Sequence, residues 1–311
     1  MITLVTGGAG FIGSHLVEAL LAEGHTVRVL DNLSTGSPAN LPLRDVELLD
    51  ADIRDPSALR QAMRGVEVVF HQAALPSVPR SLRDPVSCHE VNVNGTFQVL
   101  LAARDSGVRR LVFASSSSVY GDTPELPKHE GMTPRPLSPY AVAKLTGEHY
   151  CRQFHQHFGV ETVALRYFNV FGPRQNPRSE YAAVIPAFLD MIQRGAEPTI
   201  YGDGEQTRDF TAVDNVVAAN LGAAFSPLAA GKVYNVACGQ RISLNQLLQE
   251  LGALMGREVR ARYLPGRPGD VRDSLADITS ARRDLGYEPR VSLREGLRRL
   301  IECQPAALVA A

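Results

Sequence analysis

The sequence is poor in the features that mark several large classes of protein. Its four cysteines, Cys88, Cys151, Cys238 and Cys303, lie far apart and form no CxxC pair, which favours free thiols over disulfides or a zinc site. Positive and negative charges nearly cancel, with 32 Lys and Arg against 33 Asp and Glu, so nucleic acid and acidic membranes are not expected as partners. No apolar run reaches the length of a membrane span, and the first residues have the pattern of a strand rather than a signal peptide. We expect a soluble cytoplasmic protein that binds no metal.

The order of the remaining patterns predicts an α/β fold. With 311 residues, 44% of them hydrophobic, the chain can form one large lobe or two unequal ones. Apolar strand-like runs alternate with helical patterns over residues 1–170, which predicts a Rossmann-type doubly wound parallel sheet. The rest, 171–311, contains more Gly and Pro and predicts a smaller C-terminal α+β lobe, with some segments, such as 211–236, returning to the first domain.

Helical periodicity predicts five longer helices, at 85–104, Pro139–Phe158, 184–194, Val213–Phe225 and Leu244–Met255. Ser243 with Gln246, and Ser292 with Glu295, have the spacing of capping boxes at helix starts.

The segment TGGAGFIG, which begins at Thr6, lies between a predicted strand and a predicted helix. In that context Gly7, Gly10 and Gly13 allow a tight turn, a close approach of backbone N–H groups to phosphate, and packing of the helix on the strand. The helix N-terminus then faces an anion. The segment therefore predicts a pyrophosphate site for a dinucleotide.

Asp31 ends the second predicted strand, 18 residues after Gly13. A carboxylate at this place accepts hydrogen bonds from the adenosine ribose and repels a 2′-phosphate, which favours NAD over NADP. Asp52 and Ile53, after the third apolar run, are predicted to flank the adenine. The alternative is that both carboxylates only end strands.

Tyr140 and Lys144 are four residues apart on a predicted helix and share one face. A phenol that titrates near 10 needs about 4 kcal/mol to become a base near neutrality, and one positive charge at about 4 Å supplies a similar amount. Upstream, a strand runs into the four serines Ser115 to Ser118, where hydroxyls would face the ligand crevice. A polar loop without function is the alternative for any one of these serines.

With these motifs the chain resembles the extended short-chain dehydrogenase/reductase superfamily, and within it the UDP-hexose 4-epimerases. TGGAGFIG and YAVAK are the superfamily motifs, and NVNGT, SSSSVYG, RYFNVFGPRQ, YGDGEQTRDF and RPGDVRDS follow in the family's order. The resemblance implies an NAD-binding domain over 1–170, tightly bound NAD that is regenerated in each cycle, a UDP-sugar substrate, and a homodimer formed through the helices 85–104 and Pro139–Phe158.

The resemblance also implies roles for individual residues. Tyr140 is the catalytic base, Lys144 is its partner and Ser116 hydrogen-bonds the reacting hydroxyl. Besides residues already named, the implied cofactor contacts are Phe11, Ile12, Asn32, Ser34, Gly36, Gln72, Ala73, Ala74, Asn92, Ser115 and Tyr167. The implied substrate contacts are Ser116, Ser117, Tyr140, Asn169, Ala183, Val184, Tyr201, Arg208, Arg267, Asp270 and Ser274.

The implied reaction is epimerisation at carbon 4 of a UDP-hexose through a 4-keto sugar. Related 4,6-dehydratases have a segment that resembles T-D-E-x-Y-G. Ser117 and Ser118 occupy its two acidic positions in this chain, which disfavours dehydration. The small Ser274, and the segment SVPRS at Ser77 to Ser81, favour N-acetylated hexoses alongside plain ones. A UDP-glucuronate 4-epimerase and a non-catalytic NAD-binding protein stay open as alternatives.

Overall fold

The computed structural model describes residues 1–177, 183–266 and 271–303. Within these ranges the strands are β1 (Ile2–Thr6), β2 (Thr26–Asp31), β3 (Val46–Asp50), β4 (Val68–His71), β5 (Arg110–Ser116), β6 (Glu161–Tyr167), β7 (Val170–Phe171), β8 (Thr199–Tyr201), β9 (Thr207–Arg208), β10 (Thr211–Ala212), β11 (Val233–Val236), β12 (Ile242–Ser243) and β13 (Arg262–Leu264). The α-helices are α1 (Phe11–Ala22), α2 (Pro56–Ala62), α3 (Val78–Arg83), α4 (Pro85–His89), α5 (Thr96–Asp105), α6 (Pro139–Phe158), α7 (Val184–Gln193), α8 (Val213–Phe225), α9 (Leu244–Met255), α10 (Thr279–Leu285) and α11 (Leu293–Glu302).

Among the described residues, seven parallel strands form one sheet in the order β11-β6-β5-β4-β1-β2-β3. The neighbours Leu4 and Val5 in β1 point to opposite faces and belong to two separate hydrophobic clusters. Leu16 of α1 packs in the cluster of Val5, and Leu100 of α5 in that of Leu4. Both faces are thus covered by helices, which is why these strands are continuously apolar. The predicted Rossmann-type doubly wound sheet is confirmed.

Three of the five longer helices have the predicted bounds, namely α6, α8 and α9, and α7 ends one residue early. The stretch 85–104 is helical but not uniform, because a π-helical segment, Glu90–Gly95, separates α4 from α5. The capping box of Ser243 and Gln246 is present with both hydrogen bonds. At α11 the Ser292 side chain accepts from the backbone N–H of Glu295.

Much of the chain after residue 170 packs around a third hydrophobic cluster, which includes Phe171, Leu189, Leu247 and Leu297. Three small two-stranded pairings belong to this part: β7 with β10, β8 with β13 and β9 with β12. Strand β11 instead joins the large sheet beside β6. The division of the chain at residue 170 into two lobes stays a prediction. Across the described ranges, no helix is both long and apolar enough to cross a bilayer.

Candidate active site

The glycine turn joins β1 to α1 at the carboxyl edge of the sheet. Gly7 has φ +70°, and a Cβ on Gly13 would lie 2.2 Å from the Gly7 carbonyl oxygen. Only residues without a side chain allow the helix to start this close to the strand. In the described part of the chain, no side chain caps α1 at Gly10. The backbone N–H groups at Phe11, Ile12 and Gly13 therefore open the helix at a place suited to an anion.

Asp31 connects the second strand to the glycine turn. Its Oδ2 accepts from the backbone N–H of Ala9 at 2.9 Å, and its Oδ1 from that of Leu33 at 2.9 Å. Burial raises the pKa of this carboxyl, and the two backbone hydrogen bonds offset that only in part. Each carboxylate oxygen has two lone pairs, so acceptor capacity is left for a ribose. Asp31 thus ties the end of β2 to the glycine turn, and its contact with a ribose stays a prediction.

Asn32 continues the same edge and links it to Asp52. Its Nδ2 donates to Asp52 Oδ2 at 2.8 Å, and its Oδ1 accepts from the Ser34 hydroxyl at 2.7 Å. Hydrogen bonding from Arg54 lowers the pKa of Asp52 to about 2. A Cβ on Gly36 would come within 2.8 Å of the Ala9 backbone, which brings this loop against the glycine turn. The Ile53 side chain is 4% exposed and packs in the hydrophobic core.

A second group of predicted cofactor contacts follows β4. Gln72 Nε2 donates to the Tyr167 hydroxyl at 3.0 Å, and the Asn220 amide holds the same hydroxyl at 2.8 Å. The backbone of Ala73 lies 2.7 Å from the position of a Cβ on Gly7, and Ala74 follows it. Farther along, the Asn92 amide makes two hydrogen bonds to the backbone of Leu75, at 2.8 and 3.1 Å. The end of β4, the glycine turn and the π-helical segment therefore lie close together.

Tyr140 and Lys144 lie one turn apart on α6, opposite the carboxyl end of β5. The helix begins here because Ser138 caps it and Pro139 occupies its first turn. The Tyr140 side chain lies beside Ser116, which favours ionisation of its hydroxyl. Lys144 Nζ donates to the Ala114 carbonyl at 2.8 Å and lies 5.8 Å from the centre of the Tyr140 ring. The structure brings the three predicted catalytic residues together.

The electrostatics of Tyr140 differ from the expectation that Lys144 brings its phenol close to neutrality. Burial raises the pKa of Tyr140 to about 12, and Ser116 beside it opposes this only in part. Burial also lowers the pKa of Lys144 to about 8. The reason is that both groups lose hydration while the ammonium donates to a backbone carbonyl. Ionisation of Tyr140 therefore needs a further positive charge beside it.

The predicted substrate contacts begin directly after β6. Asn169 has φ +34°, and its Nδ2 donates to the Asp209 carbonyl at 3.2 Å. Arg208, next to Asp209, donates to the carbonyls of Thr207 at 2.8 Å and Arg272 at 3.0 Å. The backbone N–H of Ser274 also donates to the Thr207 carbonyl, at 3.1 Å. Asn169, Arg208 and Ser274 are thus connected through β9 and Asp209, the residue that follows it.

The other predicted contacts are less closely connected to this strand. Tyr201 ends β8, and its carbonyl accepts from Gln206 Nε2 at 2.6 Å. Ala183 is exposed and precedes Val184, the first residue of α7. Arg267 and Asp270 lie outside the described residues.

Comparison with known proteins places this geometry in a family. A family described as the NAD-dependent epimerase/dehydratase family matches residues 3–237. The chain belongs to this family. It is 41% identical over 308 residues to a UDP-glucose 4-epimerase of Mycolicibacterium smegmatis, covering 97% of this chain and 98% of the relative.

Two solved structures of the epimerase/dehydratase family are similar over nearly the whole chain. A UDP-N-acetylglucosamine 4-epimerase of Methanobrevibacter ruminantium, in complex with UDP-N-acetylmuramic acid, has a TM-score of 0.93 and 39% identity, covering 96% of each chain. A UDP-glucose 4-epimerase of Thermus thermophilus in complex with NAD has a TM-score of 0.90 and 40% identity, covering 97% of this chain and 98% of that one.

The predicted cofactor, NAD, agrees with the family's description, and the residues present fit it. The start of α1 offers backbone N–H groups to a pyrophosphate, and the glycine turn leaves no room for side chains there. Asp31 is oriented by two backbone hydrogen bonds at the end of β2.

Two buried polar residues next to the candidate site, His71 and Asp209, were not predicted from the sequence. His71, the last residue of β4, connects β1 and α5, since its ring nitrogens lie 2.7 Å from Thr6 Oγ1 and 3.0 Å from Thr96 Oγ1. Burial lowers the pKa of His71 to about 3, so the ring stays neutral. Asp209, which follows Arg208, is fully buried and accepts from three backbone N–H groups.

Proposed function

We propose that this protein interconverts the two carbon-4 epimers of a UDP-hexose through a 4-keto sugar. The observation that carries the proposal is the contact of Tyr140 with Ser116 at the carboxyl end of β5, with Lys144 one turn away. Two of the relatives are UDP-glucose 4-epimerases that align with nearly the whole chain and are about two fifths identical to it. Their activity supports the same reaction here.

In the proposed mechanism, Ser116 hydrogen-bonds the 4-hydroxyl of the sugar and the Tyr140 oxygen takes its proton. Bound at the glycine turn, NAD would supply the redox chemistry, as the acceptor and then the donor of the hydride of carbon 4. The neutral keto sugar must stay in the site while the hexose turns. Arg208 suits this task because a guanidinium holds phosphate oxygens through two parallel hydrogen bonds, and Arg267 is assigned the same role by resemblance.

We also propose that N-acetylated sugars are accepted along with plain hexoses. Ser274 is small and buried, and its backbone is fixed to Thr207 beside Arg208. The segment Ser77 to Ser81 supports the same preference by its position. The Ser81 hydroxyl accepts from the backbone N–H of Tyr140 at 3.2 Å, so this segment lies against the proposed base.

Dehydration at carbons 4 and 6 is disfavoured because it needs an additional acid and base beside the tyrosine. Ser117 and Ser118 occupy those positions, and a hydroxyl does not exchange protons near neutrality as a carboxyl does.

We further propose a homodimer through the helical stretch 85–104 and α6. Val86 on α4 is 70% exposed, Leu82 on α3 is 63% exposed and Val142 on α6 is 49% exposed. These apolar side chains lie on helices that pack against one another. Burying them against a second copy would remove them from water. Sedimentation equilibrium, which gives the molar mass in solution, measures whether the protein is a dimer.

The test of the proposed reaction is direct. The purified protein is incubated separately with UDP-N-acetylglucosamine, UDP-glucose and UDP-glucuronate, and the galacto epimer of each is measured. We expect interconversion of the first two, and about a 10²- to 10⁴-fold loss of turnover in Tyr140→Phe with unchanged NAD content. Run in deuterium oxide, the reaction should leave no deuterium at carbon 4. Turnover of UDP-glucuronate alone would make the protein a uronate epimerase, and absence of turnover on all three would refute the proposal.

A further inference from the structure

Three residues spaced four apart on α6 contact three consecutive residues of β5. Tyr140 lies beside Ser116, and Lys144 donates to the Ala114 carbonyl at 2.8 Å. One turn later, Glu148 Oε1 accepts from the Ser115 hydroxyl at 2.5 Å. Residues at this spacing form one row along the helix. Glu148 therefore extends the row that contains the proposed base.

The Glu148 carboxylate is also fixed from the next strand. Arg166 of β6 donates to both of its oxygens, from Nε at 2.9 Å and from Nη2 at 2.7 Å. The Glu148 side chain is 5% exposed and the Arg166 side chain is 4% exposed. A two-pronged contact of this kind sets both distance and orientation. The carboxylate thus ties α6 to β5 and β6 at once.

The network continues toward the loop that follows Ser116. The Arg166 guanidinium lies 4.7 Å from the centre of the Tyr120 ring, and the Tyr120 hydroxyl donates to Asn235 Oδ1 at 2.7 Å. Asn235 in turn donates to the carbonyls of Lys128 and Asp277, at 2.9 and 3.0 Å. Ser115 is thus held by Glu148, and Tyr120, two residues after Ser118, lies against Arg166.

We propose that Glu148 is a positioning residue, whose carboxylate fixes α6 against β5 and β6 and thereby holds the Tyr140 hydroxyl beside Ser116. This rests on the proposed function, which gives Tyr140 its role. Stability alone does not account for the pair, since replacing a buried ion pair by apolar side chains of similar size is often neutral or stabilising. An apolar pair makes no directional hydrogen bonds and therefore does not fix the orientation of α6 as the ion pair does. Misplacement of a reacting group by about 1 Å can cost about 100-fold in rate.

The test removes the pair without leaving a buried charge. In Glu148→Leu/Arg166→Met, we expect a melting temperature no lower than that of the parent. We also expect kcat to fall by about tenfold or more, while KM for the UDP-sugar stays within about twofold. Glu148→Gln is the second variant. It keeps the oxygen that accepts from Ser115, but its amide N–H group faces Arg166 Nη2 and the buried guanidinium loses its countercharge. We therefore expect both a lower melting temperature and a lower kcat than in the parent.

Glu161→Gln is the matched control. Glu161 pairs with Arg110 at 2.6 Å and joins the same two strands, β5 and β6, at their opposite ends. It should change stability and leave kcat unchanged.

A folded double variant with the parent's kcat would overturn the positioning role. If the parent has no epimerase activity, the proposed function fails, and the positioning role is then judged from crystal structures of the parent and the variants. A distance from Tyr140 Oη to Ser116 Oγ that lengthens beyond hydrogen bonding in the double variant supports it, and an unchanged distance overturns it.

Discussion

Asp209 is predicted to make the folded protein less stable as pH rises through the weakly acidic range. Its side chain is fully buried between three segments of chain. Oδ1 accepts from the backbone N–H of Cys238 at 2.9 Å, and Oδ2 accepts from those of Gly239 at 3.0 Å and Ala276 at 3.2 Å. Burial nevertheless raises the pKa of this carboxyl from an ordinary 3.8 to about 6. Loss of hydration outweighs the hydrogen bonds to the charged form.

The sign and size of the effect follow from proton linkage. Because the pKa is higher in the folded protein, the folded state binds more protons than the unfolded state between about pH 4 and pH 6. The stability contributed by this group is therefore full below about pH 4 and is lost as pH rises through about 6. Over pH 4 to 7 the loss amounts to about 2–3 kcal/mol.

Urea unfolding of the parent and of Asp209→Asn, at several pH values from 4 to 7, isolates this contribution. The amide has no proton to lose, so the free energy of unfolding of the parent should fall relative to the variant by about 2–3 kcal/mol across the range. Carboxyls with lowered pKa values, such as Asp52 at about 2, titrate in both proteins and cancel. A difference that stays constant with pH, or that moves in favour of the parent, would refute the reasoning.

Two further predictions concern the cofactor turn and the sugar pocket. In Gly13→Ala, the new Cβ would lie 2.2 Å from the Gly7 carbonyl oxygen, so NAD affinity measured by calorimetry should fall by about tenfold or more. Gly24→Ala is the control, because a Cβ there meets nothing within 4 Å; it should cost about 1 kcal/mol of stability and leave NAD affinity as it is. In Ser274→Tyr, turnover of UDP-N-acetylglucosamine should fall selectively relative to UDP-glucose, and equal losses on both would contradict the assignment of Ser274 to the hexose pocket.

The parts of the fold that could be predicted are those in which local signals agree. Ser138, Pro139 and the left-handed Gly159 bound α6 at the predicted residues. The stretch 85–104 shows where prediction from the sequence fails. Its periodicity indicates one helix, but the Asn92 amide is bonded to the backbone of Leu75, 17 residues upstream, within the π-helical segment. A contact of this kind is set by tertiary structure and leaves no local pattern.

The same limit applies to the candidate site. A spacing of four predicted that Tyr140 and Lys144 share a helix face, but not that the ammonium of Lys144 donates to Ala114. Asp209 and its partners are 29 to 67 residues apart in the chain, and Glu148 is 18 residues from Arg166. Such residues are recognised only when the segments that surround them are packed together.

Burial of Tyr140 has a consequence for how the proposed reaction is controlled. Burial raises the pKa of its phenol to about 12. The same buried surroundings strengthen the attraction between the phenolate and any positive charge placed beside it, because the effective dielectric is lower than that of water. At an effective dielectric near 20, one cation at about 4 Å contributes about 4 kcal/mol, equivalent to lowering a pKa by about three. A phenol held neutral by the protein and ionised only beside a bound positive ring would confine proton removal to the complex with oxidised cofactor. The pKa governing kcat should therefore lie well below that of Tyr140 in the protein free of NAD.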